Sequence, residues 1–196
     1  MLPGLSCPYH LHLIVKLISH GFIIRYEGNV EEFLSQSNKI HQGKVNIIHS
    51  VDPIEIHVRG HRAISEAFCL VTSSLTLGGV DYELASHMRL ATRLEKSDAG
   101  QWRMLSLESI YVRDRLISAF PGSGAASPLV MTDELQAYPK SYRNLALVML
   151  NRGIRPRPDL PNEDNPESVR RVLDRNRAFL DSEEVLDMSS LLVNGR

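Results

Sequence analysis

SHMRLATRLEKSDAGQWRMLSLESIY, residues 86–111, is the stretch that decides the fold of this chain. Two strand-like runs flank the segment Ser97–Gly100. In the first, Met88, Leu90 and Leu94 alternate with Arg89, Ala91 and Arg93. In the second, Leu105, Leu107 and Tyr111 alternate with Met104, Ser106 and Glu108. Successive side chains of a strand point to opposite sides of a sheet, so a period of two marks a strand with one buried face. The connection SDAGQ suits a hairpin loop in which Gly100 supplies a left-handed backbone position. The spacing predicts a half-buried β-hairpin.

Upstream, the chain prepares a sheet. VNIIHSV and IEIHVRG are two extended runs interrupted at Asp52-Pro53, because the residue before proline is pushed out of the helical region. Gly60-His61 then turns the chain into RAISEAFCLVTSSLTL, which ends at Gly78-Gly79. Composition leaves that run ambiguous between helix and strand; its neighbours and the glycine turn favour a strand. Asp81 and Glu83 are expected in a turn. Earlier still, Phe22–Tyr26 reads as a strand from its β-branched content. Asn29 is placed to cap a short helix over residues 30–40, with Val30, Phe33, Leu34 and Ile40 inward. The apolar stretch Leu11–Ile24 contains His12, Lys16 and His20 and is too short to cross a membrane. With no basic flank or small-residue cleavage site, it reads as a buried element rather than a signal peptide.

Downstream, the character changes. FPGSGAASP (120–128) is a linker, and the chain beyond it reads as helix. In PKSYRNLALVMLNRG, residues Tyr142, Leu145, Ala146, Met149 and Leu150 form one stripe, ended by Gly153. After a proline-rich connector, SVRRVLDRNRAFL places Val169, Val172, Leu173, Asn176 and Leu180 on one face. The expected division is a sheet domain over residues 1–119 and a linker with a helical C-terminal extension over 120–196.

Composition narrows the function classes. The chain has 196 residues, 43% apolar and 23% charged, a globular balance. Lys+Arg 22 against Asp+Glu 23 leaves no electrostatic footprint for nucleic acid. Cys7 and Cys69, far apart, read as free thiols of a reducing compartment, and no zinc-type spacing is present. There is neither a P-loop nor a GxGxxG after a strand. The sequence therefore predicts a cytoplasmic protein with no cofactor, metal, nucleic acid or membrane partner.

Two histidines stand out chemically. His49 follows the apolar run VNII, and His87 lies early in the central hairpin. An imidazole takes and returns a proton near neutral pH, so two facing one cavity suit the base and acid of an elimination or isomerisation. The alternative is that each is a hydrogen-bonded sheet residue. Arg89 and Arg93 suit binding of an enolate or carboxylate, or else form a solvated or dimer face. Asp114 is a candidate partner for a nearby arginine, and Cys69 reads as a packed small hydrophobe.

The segments EEFLSQSNK (31–39), IIHSVDPIEIHVRGHRA (47–63) and SHMRLATRLEKSDAGQWRMLSLESIYVRD (86–114) carry a resemblance, and YPKSYRNLALVMLNRGIRPRPDLPNEDNPESV (138–169) does so more loosely. Their order resembles the nuclear transport factor 2-like superfamily, in its SnoaL-like polyketide cyclase and scytalone dehydratase branch. The resemblance implies an α+β fold: a cone-shaped, curved antiparallel sheet packed on helices (a cystatin-like α+β barrel) with a pocket in its mouth. It implies His49 and His87 as the catalytic pair and Ser106 and Glu108 as pocket polar residues. Glu108 departs from the family's neutral residue. Little chain precedes EEFL, and no aspartate lies in it, so Tyr26 is the nearest candidate for the family's pocket tyrosine. The expected activity is that of a small cofactor-free lyase or isomerase of specialised metabolism, acting on a polyketide- or terpenoid-like molecule. In it one histidine takes a proton beside a carbonyl and the other assists loss of a leaving group, while Tyr26, Ser106, Glu108 and Arg89 hold the substrate. The alternative is a non-catalytic binding or assembly module on the same fold. The resemblance also implies a homodimer through the open sheet face.

Overall fold

The structure, a computed structural model, describes residues 18–19, 35, 46–120 and 129–182. It is an α+β arrangement built on long antiparallel strands. In chain order these are β1 (Ile18–Ser19), β2 (Asn46–Arg59), β3 (Arg62–Leu77), β4 (Val80–Lys96) and β5 (Trp102–Ser118), followed by α1 (Asp133–Gln136), a 3-10 turn (Lys140–Tyr142), α2 (Arg143–Leu150) and α3 (Pro166–Asp181). The spatial order is β1-β5-β4-β3-β2, with β1 parallel to β5 and the other pairings antiparallel.

The central hairpin forms as the alternation predicts, β4 pairing with β5 around Ser97–Gln101 and Gly100 at φ 78°. The run 62–77 is a strand. Its exit turn, Gly78–Gly79, has φ 55° and 79°, the left-handed pair that a tight hairpin of matching twist needs. Because that turn is only two residues long, Asp81 and Glu83 already lie in β4, not in a turn. Asp52-Pro53 does not split the upstream segment either. β2 is one strand with an irregularity between Pro53 and Glu55, which an outer strand tolerates because a missing N–H disturbs only one ladder. The expected strand at 22–26 lies outside the described residues. So does the helix at 30–40, save Ser35, which is helical.

Both faces of the hairpin are covered, and this differs from the half-buried expectation. The first face carries Leu84, Met88 and Tyr111, packed with Tyr138, Tyr142, Leu145, Ala146, Val148 and Leu160. The second face carries Ala91 and Ile110, packed with Val169 and Val172 of α3. The connector between α2 and α3 crosses the sheet edge at Tyr111, whose N–H donates to the Pro161 carbonyl while its own carbonyl accepts from Glu163 N–H. The chain after residue 129 thus shares its core with the strands, wrapping from one face to the other. The expected division falls just beyond the end of β5 at Ser118.

The helices start where sequence and sheet provide partners. Asn165 accepts from Ser168 N–H at the head of α3, with Pro166 following it. The buried positions of α3 include Val169, Val172, Asn176 and Leu180, four of the five expected. In α2, Leu145 and Ala146 are buried as expected and Val148 joins them. Its head is capped from the sheet: Asp114 Oδ2 accepts from Leu145 N–H at 2.6 Å and Oδ1 from Asn144 Nδ2 at 2.7 Å. Asp114 therefore serves a helix end, with its charge at the positive pole. Cys69 is buried, and burial pushes its thiol pKa up.

Candidate functional site

Cross-strand partners share a face of a sheet, which fixes the sides of the two histidines. His49 of β2 lies opposite Val71, which lies opposite Ser86, on the first face. His87 lies opposite Leu70, which lies opposite Ser50, on the second. The pairing of β3 with β4 is uninterrupted, so the two imidazoles are on opposite sides of the sheet and do not share a cavity. The two-histidine constellation expected from the sequence is not assembled, because an odd and an even position of one ladder diverge. Burial, then Arg113 and Arg115, lower the pKa of His87 below the usual imidazole value. His49 is exposed. Tyr26 lies outside the described residues.

Ser106, Glu108 and Arg89 are brought together on the second face, with Arg93, beneath α3. Glu108 is fully buried. Its Oε2 accepts from Arg175 Nη2 at 2.6 Å, and Oε1 lies 3.7 Å from Arg93 Nη2, an ion pair without a hydrogen bond. Arg93 Nε donates to Ser106 Oγ at 2.6 Å. Burial lowers the Arg93 pKa, with the Glu108 carboxylate opposing and Arg175 adding to it. Arg93 therefore lies neither on a solvated face nor in an open pocket; α3 covers it, with Phe179 over its guanidinium. Glu108 is occupied in holding that helix down, and Ser106 in holding Arg93.

Arg89 borders an open groove. Its Nη2 lies 2.7 Å from Glu66 Oε2, and its Nη1 lies 3.5 Å from Glu163 Oε1. The groove, about 810 Å³, runs between α3 and the second face of β2 and β3. Ile54, Ile64, Phe68, Leu173 and Leu180 give it apolar walls; Glu55, His57, Glu66, Arg89 and Asn176 give it polar points. That volume is within the usual range for small-molecule sites. His57 Nε2 lies 3.1 Å from Glu55 Oε2. Asn176 is buried, and its Oδ1 has no hydrogen-bond partner. Neither His57 nor Glu66 was among the residues expected from the sequence. The spacing Glu-X-His in a strand was a usable signal for the first, since residues two apart share a face.

Among the described residues, no group of three or more His, Cys, Asp or Glu side chains is placed to hold a metal ion. No helix among them is long and apolar enough to cross a membrane.

Fold and groove define an α+β sheet protein with a small-molecule-sized cleft. No protein-family model matches the chain. Over 92 residues it is 30% identical to pea pathogenicity protein 2 of Fusarium vanettenii, a match covering 47% of this chain and 38% of that protein. Over the same length it is 27% identical to a PEP2-like protein of the same fungus, with equal coverage. The match thus spans well under half of these relatives. A conserved protein from Planctomyces limnophilus aligns in structure with a TM-score of 0.37 and 22% identity, over 54% of this chain and 74% of that one. A protein of Kribbella flavida aligns with a TM-score of 0.41 and 12% identity, over 54% and 70%.

Proposed function

We propose that the chain is a ligand-binding module of the SnoaL-like type, on a cone-shaped, cystatin-like curved sheet. It holds a largely apolar small molecule of the polyketide or terpenoid kind. One observation carries the reading: the groove of about 810 Å³ beside α3 has apolar walls, and of its charged groups Arg89 is paired with Glu66 and Arg59 with Asp181. Such a surface favours a largely apolar ligand, because most of its contact is with hydrocarbon and a charged group placed at Arg89 or Arg59 would compete with an existing ion pair. The separation of His49 and His87 weighs in the same direction. Cys69, a free and buried thiol, fits a reducing, cytoplasmic setting. The test is NMR of the labelled chain titrated with farnesol, a terpenoid alcohol. Amide shifts centred on Phe68, Leu173 and Asn176, weakened by Phe68→Ser, are expected. Phe68 is 54% exposed, so this variant keeps the fold. Shifts elsewhere, or none, overturn the reading.

A second reading, the cofactor-free lyase or isomerase, is favoured by the His57–Glu55 pair in the same groove. Glu55 holds Nε2, leaving Nδ1 to take a proton from carbon beside a ligand carbonyl; the carboxylate offsets the imidazolium that forms. The same proton is then returned, or a leaving group departs. Deuterium exchange beside the carbonyl of a terpenoid ketone such as β-ionone tests this. Exchange accelerated by the wild type and lost in His57→Gln supports catalysis, while equal rates in both refute it.

A further inference from the structure

Among the described residues β2 stands at one end of the sheet, with one edge paired to β3. Outer strands are normally protected against pairing by proline, lysine, a bulge or shortness. β2 has Pro53 and the irregularity beside it, yet the following run Glu55–Arg59 pairs regularly with β3 and contains no proline, glycine or lysine. On the first face this run presents Ile56, 66% exposed, and Val58, 60% exposed. On the second face it presents Glu55, His57 and Arg59.

We propose that this run pairs antiparallel with the same run of a second copy of the chain, about a two-fold axis normal to the sheet at His57. An axis in that direction keeps like faces together, so only residues of the same parity lie opposite one another. Centring on His57, the midpoint of the regular run, uses all of it. It sets Glu55 opposite Arg59 of the second copy, twice, and Ile56 opposite Val58, twice. Opposite charges and apolar pairs in directly facing positions each favour association. A centre at Val58 sets His57 against Arg59, and a centre at Ile56 moves Arg59 opposite Pro53, beyond the irregularity. The charge pattern thus selects one register. Within one copy Arg59 lies 2.8 Å from Asp181, so the Glu55 carboxylate of the second copy joins a charge that is already paired. Glu55, His57 and Arg59 also line the groove, so the interface sets the grooves of the two copies beside the two-fold axis. Association is read without any ligand, so it stands or falls separately from the small-molecule reading.

The test is sedimentation equilibrium of the full chain, comparing wild type, Glu55→Arg, Arg59→Glu and the two changes combined. The wild type is expected to dimerise. Each single change places like charges opposite one another twice and weakens association roughly ten-fold. The combined swap restores it. Val58→Lys, which puts an ammonium on the edge without touching the charge pair, is expected to give a monomer with unchanged circular dichroism. A monomeric wild type overturns the proposal, as when another segment of the same chain covers the edge. So does a dimer indifferent to all four changes, which would lie on the sheet face, or a combined swap as weak as the single ones.

Discussion

Removing the Glu108 carboxylate should unlatch α3, and the structure sets the size of the effect. Glu108 is 0% exposed, Arg93 19% and Arg175 46%. In Glu108→Ala two guanidinium groups face each other with no counter-charge between them. Breaking a buried ion pair on one side costs about 3–5 kcal/mol, because the remaining charge stays desolvated. Arg175 is nearly half in water and its share is screened, which puts the loss near the lower end, about 3 kcal/mol. For a chain of this size, at roughly 3 °C for each kcal/mol, the melting temperature falls by about 9 °C. Thermal and urea unfolding followed by circular dichroism measure it. Replacing all three groups, as Glu108→Leu with Arg93→Met and Arg175→Met, should recover most of the loss, since apolar packing removes the desolvation penalty altogether. A drop under about 2 °C in Glu108→Ala would refute the reasoning, and with it the docking of α3 over this face.

Burial and charge set two further outcomes. In a histidine NMR titration His87 should titrate below 6.5, as burial and the neighbouring Arg113 and Arg115 disfavour its charged form. Arg113→Ala should raise that midpoint while His49→Ala leaves it unchanged; mutual shifts between the two histidines would contradict their placement on opposite faces. Asp114 has its folded pKa raised, by burial first, against the lowering from its hydrogen bonds to Leu145 and Asn144 and from Arg143. A carboxyl raised on folding contributes stability fully below its unfolded pKa and loses it as the pH rises through the folded value. Wild type should therefore gain on Asp114→Asn as the pH falls from about 6 to about 3, in denaturant titrations across that window. A constant difference would refute the shift.

The strands were legible because their information is local. Alternation from Met88 to Tyr111 and the glycines at 60, 78 and 100 mark strand and turn whatever packs on them. The stripes of α2 and α3 were legible for the same reason, a helix having its own period. The assignment of β3 depended on neighbours rather than on composition, and Pro53 misled because its effect depends on whether the strand lies inside or at the edge of the sheet.

The candidate site was read less well. Ser106 and Glu108 do face Arg89 and Arg93, as the alternation implied, but their role changed once α3 supplied Arg175 from 67 residues further along the chain. Whether an arginine row meets water or a buried carboxylate is not written in the row itself. The separation of His49 from His87 likewise depends on the register across β3, set by two hairpin turns acting together. By itself, then, the sequence determined most of the described strands and helices and which side chains of each share a face. Only the tertiary structure decided which faces meet, because burial and ion pairing join residues whose distance along the chain carries no signal.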